Sequence, residues 1–274
     1  MVDVSQYNGK FHLASEPAPH VLLLEFNRFW MELEDIINRV SGNSDIRVIV
    51  VGSRLAKFFT AGLDVTQPSV LAAGNDLDAA RRALAIRGHL THFQRAISTL
   101  ELCTQPVICA MHGFSLGLAI DLSSACDIRL CSEDAKFGIM EVKVGLAADI
   151  GTLQRFPKIV GSGSKARELA LTGREFNAAE AKEIGFVSEV VPGSRKEVLE
   201  AAIKMADVIA KNSPIAVVST KHLMNHARDH SVQEGLDYTA AWNQAMLQSE
   251  DTIASMKARL AKKTPVYKPI GAKL

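Results

Sequence analysis

The sequence carries almost no net charge. Its 274 residues include 31 basic and 30 acidic side chains, which gives a formal charge of +1 at pH 7. Proteins that bind nucleic acid or anionic lipid through their overall electrostatic field need an excess of basic residues. The near balance of charges argues against both partners, and we predict that the protein binds no nucleic acid.

Cysteines are few and lack metal-binding spacing. The four cysteines are Cys103, Cys109, Cys126 and Cys131. None belongs to a C-x-x-C pair, and all have apolar neighbours, which is typical of reduced thiols in a core rather than of a zinc site or a disulfide framework. We therefore predict a reducing compartment. The histidines show no ligand spacing either, so we predict no metal site.

Long apolar runs are also missing. The most apolar stretch, residues 107–120, contains His112 and is too short to cross a bilayer, so we predict no membrane span. The chain starts with an early Asp3 and no basic-then-apolar run, so we expect no signal peptide. Its last residues, Ala272, Lys273 and Leu274, differ by one substitution from the S-K-L peroxisomal address. We therefore expect a peroxisomal location and binding of this tail by the import receptor.

Short β-like runs alternate with helical periodicity along the first two thirds of the chain. The β-like runs are residues 21–26, 47–52, 107–111 and 128–131. The helical stretches are residues 29–40, 76–102, 118–125 and 153–160, with another from Lys165. The β-like runs are continuously apolar, which indicates α/β layering with sheets covered on both faces.

From about Arg195 the β signal vanishes. Helical blocks follow at residues 195–211, 214–226, 232–248 and 251–262. We therefore predict a core of residues 1–194 that holds the active site and a C-terminal helical segment of residues 195–274. Apolar side chains of this segment, such as Met224 and Trp242, pack either on the core or on another subunit; the sequence leaves both options open.

Two turns of small residues are suited to presenting backbone N–H groups. One is residues 60–64, after a predicted strand; the other is residues 113–118, between a predicted strand and the helix that starts near Leu118. A helix N-terminus offers unpaired donors, and two donors that converge on one oxygen form an oxyanion hole. Either turn alone is typical of an ordinary connection.

Three carboxylates accompany these turns. Asp121 lies one turn into an apolar helix, Glu141 follows the strand-like residues 136–140, and Asp149 ends a short run that begins at Gly145. An extended chain would separate the last two by roughly 26 Å, but a turn at the glycine can bring them together. Neighbouring carboxylates in apolar surroundings have raised pKa values and can act as acid and base. The alternative is that Asp121 caps a backbone group and the other two are surface acids.

At these residues the chain resembles a known superfamily. Residues 113–129, with Phe137-Gly138 and Glu141, resemble the crotonase superfamily of enoyl-CoA hydratases and isomerases, and the similarity extends over about residues 21–248. Residues 141–155 and 228–238 are similar specifically to the delta(3,5)-delta(2,4)-dienoyl-CoA isomerases. The resemblance implies an α/β fold, a crotonase-like spiral of ββα units with a C-terminal helical segment, assembled as homotrimers or hexamers.

The resemblance also implies a substrate and a way of holding it. The substrate would be an acyl-CoA thioester, with no cofactor besides the CoA that is part of it. Backbone amides at Leu63 and Leu118 would form the oxyanion hole for the thioester oxygen. Further substrate-binding positions implied are Ala61, Gly62, Asp64 and Gly117.

The carboxylates receive separate roles from the resemblance. Asp149 would remove a proton from C2 of a 3,5-dienoyl-CoA, Glu141 would deliver a proton at C6, and Asp121 would modulate the pair. Related hydratases usually have glutamates at the positions of Asp121 and Glu141 and glycine at the position of Asp149. The residues of this chain therefore favour double-bond isomerisation in fatty acid β-oxidation. Hydration of enoyl-CoA, or a catalytically impaired structural subunit, are the alternatives.

Several local features depart from the family pattern. The loop after Arg28 is shorter than the one that normally helps to hold CoA. Leu118 and Ala119 replace part of a glycine run. Lys143 is expected on the same side of an extended segment as Glu141, where its charge would favour the ionised glutamate. A hydrolase is a further alternative, because Gly113 to Gly117 fits G-x-S-x-G around Ser115, with His222, His226 and His230 as candidate bases.

Overall fold

The protein is described by a computed structural model that covers residues 3–26, 31–60, 62 and 77–271. The strands are β1 His12–Ala18, β2 Val21–Phe26, β3 Val48–Ser53, β4 Phe58–Thr60, β5 Val107–Met111, β6 Phe114–Leu116, β7 Ile128–Ser132, β8 Lys136–Gly138, β9 Glu175–Asn177 and β10 Glu189–Val191. The α-helices are α1 Met31–Ser41, α2 Ala79–Leu102, α3 Leu118–Ser124, α4 Thr152–Ile159, α5 Gly163–Thr172, α6 Ala178–Glu183, α7 Arg195–Ala210, α8 Pro214–Arg228, α9 Val232–Met246 and α10 Glu250–Leu260. Short 3-10 helices cover Ser5–Tyr7 and Glu141–Val144.

The strands form two sheets. A six-stranded sheet has the order β1-β2-β3-β5-β7-β10, and a four-stranded sheet has the order β4-β6-β8-β9. In the large sheet only the β1–β2 pair is antiparallel. Consecutive strands such as β5 and β6 enter different sheets before a helix returns the chain, which is the ββα arrangement that the resemblance implies.

Both faces of the large sheet are covered. Along β3, Ile49 and Val51 belong to one core cluster with residues of α1 and α2, whereas Val48 and Val50 belong to a second cluster with residues of α7. Successive side chains of a strand point to opposite faces, so a strand buried on both sides is apolar at every position. This explains the continuously apolar runs and confirms the predicted layering.

The first C-terminal helix is part of this covering. One apolar face of α7, with Val198, Leu199 and Ala202, is buried in the cluster on the second sheet face. Helix α8 is tied to the core by Lys221, whose ammonium group bonds the backbone oxygens of Leu100 and Gln105 and lies 2.9 Å from Asp127 Oδ2. The functional division of the chain at residue 195 stays a prediction.

The four cysteines are free and buried, as predicted from their apolar neighbours. Burial raises the pKa of the Cys103 thiol to about 11 and that of the Cys131 thiol to about 12. These thiols are therefore protonated at neutral pH, in keeping with core residues. In the part of the chain that the structure describes, no helix is both long and apolar enough to span a membrane.

One sequence expectation is wrong in detail. Residues 113–118, expected as a turn, contain strand β6, which pairs in parallel with β4 and β8. The strand is short, and glycines with positive φ, 52° at Gly113 and 56° at Gly117, flank it. The glycines give the segment a turn-like composition, whereas its pairing depends on strands that are distant in sequence.

Candidate active site

Gly62, in the first segment that was expected to present amides, lies beside Gly117 and Leu118 of the second. A β-carbon on Gly62 would be 4.0 Å from Leu118 N, and a β-carbon on Gly117 would be 3.7 Å from Gly62 Cα. Both glycines have positive φ, and Gly117 directly precedes α3, whose first residue is Leu118. A side chain at either glycine would enter the space between the turns. The structure therefore brings the Leu118 amide next to the first turn; Ala61, Leu63 and Asp64 lie outside the described residues.

Asp121 is buried within α3 and faces the start of α4. Its Oδ1 accepts hydrogen bonds of 2.7 Å from both Thr152 N and Thr152 Oγ1. The carboxylate thus satisfies a backbone donor at the N-terminus of α4, which the sequence offered as its alternative role. Burial raises the pKa of Asp121, the Thr152 bonds oppose this, and the negative charge of Asp149 raises it further. Asp121 therefore accepts structural hydrogen bonds and also belongs to the set of three neighbouring carboxylates.

Glu141 begins the 3-10 helix of residues 141–144. Gly145 closes this helix in the left-handed conformation, with φ 88°, and Leu146 N donates to Glu141 O at 3.1 Å. The turn predicted at Gly145 is confirmed. A β-carbon on Gly117 would be 3.4 Å from Glu141 Oε1, so this carboxyl group lies against the second amide-presenting turn.

The carboxyl group of Glu141 is suited to holding a proton. Its Oε2 is buried and has no hydrogen-bond partner among the described residues. Burial raises the pKa of Glu141, its own backbone amide opposes this, and the negative charges of Asp121 and Asp149 raise it further. A buried carboxylate oxygen without a donor is costly, and protonation removes much of that cost.

Lys143 does not occupy the position expected for it. The expectation assumed an extended segment, in which alternate residues share one side, but Glu141–Val144 forms a 3-10 helix. Lys143 is exposed, and its Cγ would be 3.1 Å from a β-carbon on Gly173, at the end of α5. With three residues per turn, positions two apart point in different directions. The expected pairing of this ammonium group with the glutamate was therefore wrong.

Asp149 stands on the segment that leads into α4. The neighbouring Ala148 and Ile150 are buried, and Gln94 Nε2 donates to Asp149 O at 2.6 Å, so the backbone is held on both sides of this residue. The residue as a whole is exposed, yet enough protein surrounds its carboxyl group for partial burial to raise its pKa. The backbone amide of Asp149 and the electrostatic effect of His89 oppose this rise in pKa.

The three predicted carboxylates lie within electrostatic reach of one another. Asp149 raises the pKa of both Asp121 and Glu141, and Asp121 also raises that of Glu141. Sequence reasoning missed the residues that fix this site, namely Thr152 and Gln94. Their bonds join positions 31 and 55 residues apart, and no local pattern marks such partners.

The hydrolase alternative fails on geometry. Ser115 is buried inside β6 rather than at a sharp turn before a helix, and its hydroxyl faces His112 O at 3.5 Å. A nucleophile elbow requires an exposed serine at that turn. Instead, His222 stacks with Trp242, and His226 stacks with both Tyr238 and His230. Among the described residues, no three or more His, Cys, Asp or Glu side chains are grouped to hold a metal ion.

The fold and the sequence match together define the class of protein. Residues 26–269 match the sequence model of the enoyl-CoA hydratase/isomerase family, and the chain belongs to this family. An enoyl-CoA hydratase from Bacillus anthracis has a similar structure, with a TM-score of 0.85 at 30% identity over 94% of this chain and 99% of the other. The predicted crotonase-like α/β fold is thereby confirmed.

Two relatives are named for one particular reaction of this family. A mitochondrial delta(3,5)-delta(2,4)-dienoyl-CoA isomerase from Rattus norvegicus is 41% identical over 273 residues, which are 95% of this chain and 83% of the relative. A peroxisomal delta(3,5)-delta(2,4)-dienoyl-CoA isomerase from Arabidopsis thaliana is 40% identical over 261 residues, which are 94% of this chain and 92% of the relative. The resemblance drawn from residues 141–155 and 228–238 agrees with these names.

Proposed function

We propose that this protein is an isomerase that converts 3,5-dienoyl-CoA into 2,4-dienoyl-CoA in fatty acid β-oxidation. One observation carries the proposal: Asp149 is close enough to Glu141 and Asp121 to raise the pKa of both. A second carboxylate opposite the glutamate supplies the base that a double-bond shift needs besides an acid. The similarity to the rat and Arabidopsis dienoyl-CoA isomerases supports the same reaction.

The proposed mechanism moves one proton off the substrate and one onto it. Asp149 removes the proton from C2, and the electrons delocalise over the thioester oxygen and the diene. Amides of Leu63 and Leu118 stabilise the oxygen of this enolate. Glu141 then donates its proton to C6, which leaves double bonds at C2 and C4. Glu141 is suited to the acid role because burial and neighbouring charge keep its pKa raised.

Substrate contacts are proposed on the two amide-presenting turns. Gly62 and Gly117 would allow the thioester to approach the backbone, since neither has a side chain in the gap between the turns. Ala61 and Asp64 complete the proposed contacts. The reaction as written needs no cofactor or metal, because both proton transfers use carboxyl groups and CoA enters as part of the substrate.

The C-terminal helices are proposed to form a subunit interface. Apolar side chains on α8 and α9 are exposed, with Met224 at 69%, Val232 at 82% and Leu236 at 58%. A cluster of this kind on a soluble chain favours burial against another copy. We propose a homotrimer or hexamer on this basis. A peroxisomal location through Ala272, Lys273 and Leu274 is also proposed; relatives are named as mitochondrial or peroxisomal.

Separate assays with 3,5-dienoyl-CoA and 2-enoyl-CoA test the reaction. We expect the first to give a conjugated 2,4-diene and the second to be hydrated far more slowly. Hydration without diene formation would replace the proposal by the hydratase alternative. Failure to bind either thioester in calorimetry would favour a catalytically impaired structural subunit.

A further inference from the structure

The position of Asp149 depends on the segment that carries it, because its own side chain is exposed. A cleft of about 340 Å³ borders this segment, and Ile150 and Gly151 line it together with residues of α2, α4 and α8. Close packing does not fill that side of the segment. Ala148 and Ile150 pack into the core, and polar contacts across the cleft can hold the segment on its other side.

Arg155 makes such contacts. Its guanidinium group lies so close to Gly151 that a β-carbon at the glycine would collide with Nη1. On its other side, Nη2 donates to Ser98 Oγ at 2.9 Å and to Glu101 Oε2 at 3.0 Å, both on α2. The backbone N of Arg155 also donates to Gly151 O at 3.0 Å. One side chain therefore connects the turn after Asp149 to α2.

Glu101 in turn connects Arg155 to α8. Its Oε1 accepts a hydrogen bond from Arg228 Nη1, and Asn225 Nδ2 donates to Glu101 O at 3.0 Å. The side chains of Glu101 and Arg155 are only 11% and 13% exposed. Water screens a pair this buried much less than a surface pair, and the planar guanidinium group fixes direction as well as distance.

We propose that Arg155 is a positioning residue for Asp149, held in place by Glu101 and Arg228. The inference rests on the proposed function, since it concerns the placement of the base for C2. Arg155 keeps the turn at Gly151 against α2, and Gln94 holds the carbonyl group of Asp149 from the same helix. Loss of the guanidinium fork lets this turn shift, which lengthens the proton-transfer distance without removing any substrate contact.

Variants of Arg155 test the proposal. We expect R155Q to lower kcat for diene formation about a hundredfold with little change in KM, because a misplacement of about 1 Å costs on this order. R155K keeps the charge but lacks the fork, and we expect it to recover part of the loss, to about tenfold below wild type. Exchange of the C2 hydrogen with deuterated solvent should slow in the same proportion.

R174Q is the matched control. Arg174 also pairs with two glutamates, Glu168 and Glu180, but its network lies on α5 and α6. We expect its kcat and exchange rate to equal those of wild type. Equal kcat and exchange in R155Q and wild type would overturn the proposal, while diene formation by wild type would leave the proposed function intact.

Two further outcomes are decisive. If R155Q does not fold, R155K decides: wild-type kcat in R155K would overturn the positioning role, and a reduced kcat at unchanged KM would support it. If wild-type protein forms no diene from 3,5-dienoyl-CoA, the proposed function itself fails and the positioning role fails with it.

Discussion

Glu141 and Asp149 are the same kind of group in opposite surroundings. Glu141 starts a tight 3-10 helix, and its Oε2 is buried without a partner among the described residues. Asp149 is exposed on a segment whose backbone is held by Gln94. Burial and two neighbouring carboxylates raise the pKa of Glu141, whereas the rise that partial burial causes in the pKa of Asp149 is opposed by its own backbone amide and by His89. The contrast indicates how two carboxyl groups can divide the roles of acid and base.

Removal of the base should have the largest effect. We expect Asp149→Asn to lower kcat for diene formation by about a thousandfold, since general-base catalysis contributes on this order. Because the side chain is exposed, the melting temperature should stay close to that of wild type. Asp207→Asn, which removes a half-buried carboxylate that pairs with Lys211 on α7, is the control. Full activity of the Asp149 variant would remove this residue from the mechanism.

Glu141→Gln should lower kcat by about a hundredfold, because the amide cannot donate a proton to C6 as an acid does. The same change should stabilise the fold at neutral pH. The raised pKa of Glu141 means that its stabilising state is the protonated one, which is lost as pH rises from the unfolded pKa through the folded pKa. Urea unfolding at pH 7 checks this; a less stable variant would contradict the inferred cost of the ionised group.

The pH profile of kcat/KM should be bell-shaped. Activity falls at low pH as Asp149 becomes protonated and at high pH as Glu141 ionises, and both limbs are displaced upward because both pKa values are raised. Asp121→Asn removes a negative charge that raises the pKa of Glu141, so the alkaline limb should move to lower pH. An unmoved alkaline limb would show that Asp121 does not act on the acid through its charge.

Loss of the hydrogen bond from the Thr152 hydroxyl to Asp121 should have the smallest effect. Thr152→Val removes the hydroxyl donor but keeps the backbone donor at the start of α4. We expect the free energy of unfolding to fall by about 1 kcal/mol, the usual contribution of one such bond. Thr152→Ser keeps the hydroxyl and serves as the control. Equal stability of the two variants would mean that this bond does not stabilise the fold.

The sequence predicted the elements whose signal is local. β2 and β5 fall on the runs at residues 21–26 and 107–111, because burial on both sheet faces makes nearly every position apolar, Glu25 near the end of β2 excepted. β1 was not predicted, because its sequence HLASEPA is neither continuously apolar nor alternating, and one of its faces is partly exposed. β6 was missed because three residues between glycines carry too weak a pattern.

The carboxylates of the candidate site could be predicted because their residue types and the resemblance mark them directly. Their supports could not, since Gln94 and Arg155 act through partners that only tertiary packing brings near. The predicted position of Lys143 was wrong because residues 141–144 form a 3-10 helix and not the extended segment that we assumed. The carboxylates could therefore be predicted from the sequence, whereas the contacts that position them required the structure.

Hydrogen exchange at C2 in deuterated water tests the division of roles most directly. With 3,5-dienoyl-CoA as substrate, Glu141→Gln should still exchange the C2 hydrogen while forming almost no 2,4-diene, because its base is intact. Asp149→Asn should do neither. Exchange that persists in Asp149→Asn and disappears in Glu141→Gln would reverse the assigned acid and base and contradict the account.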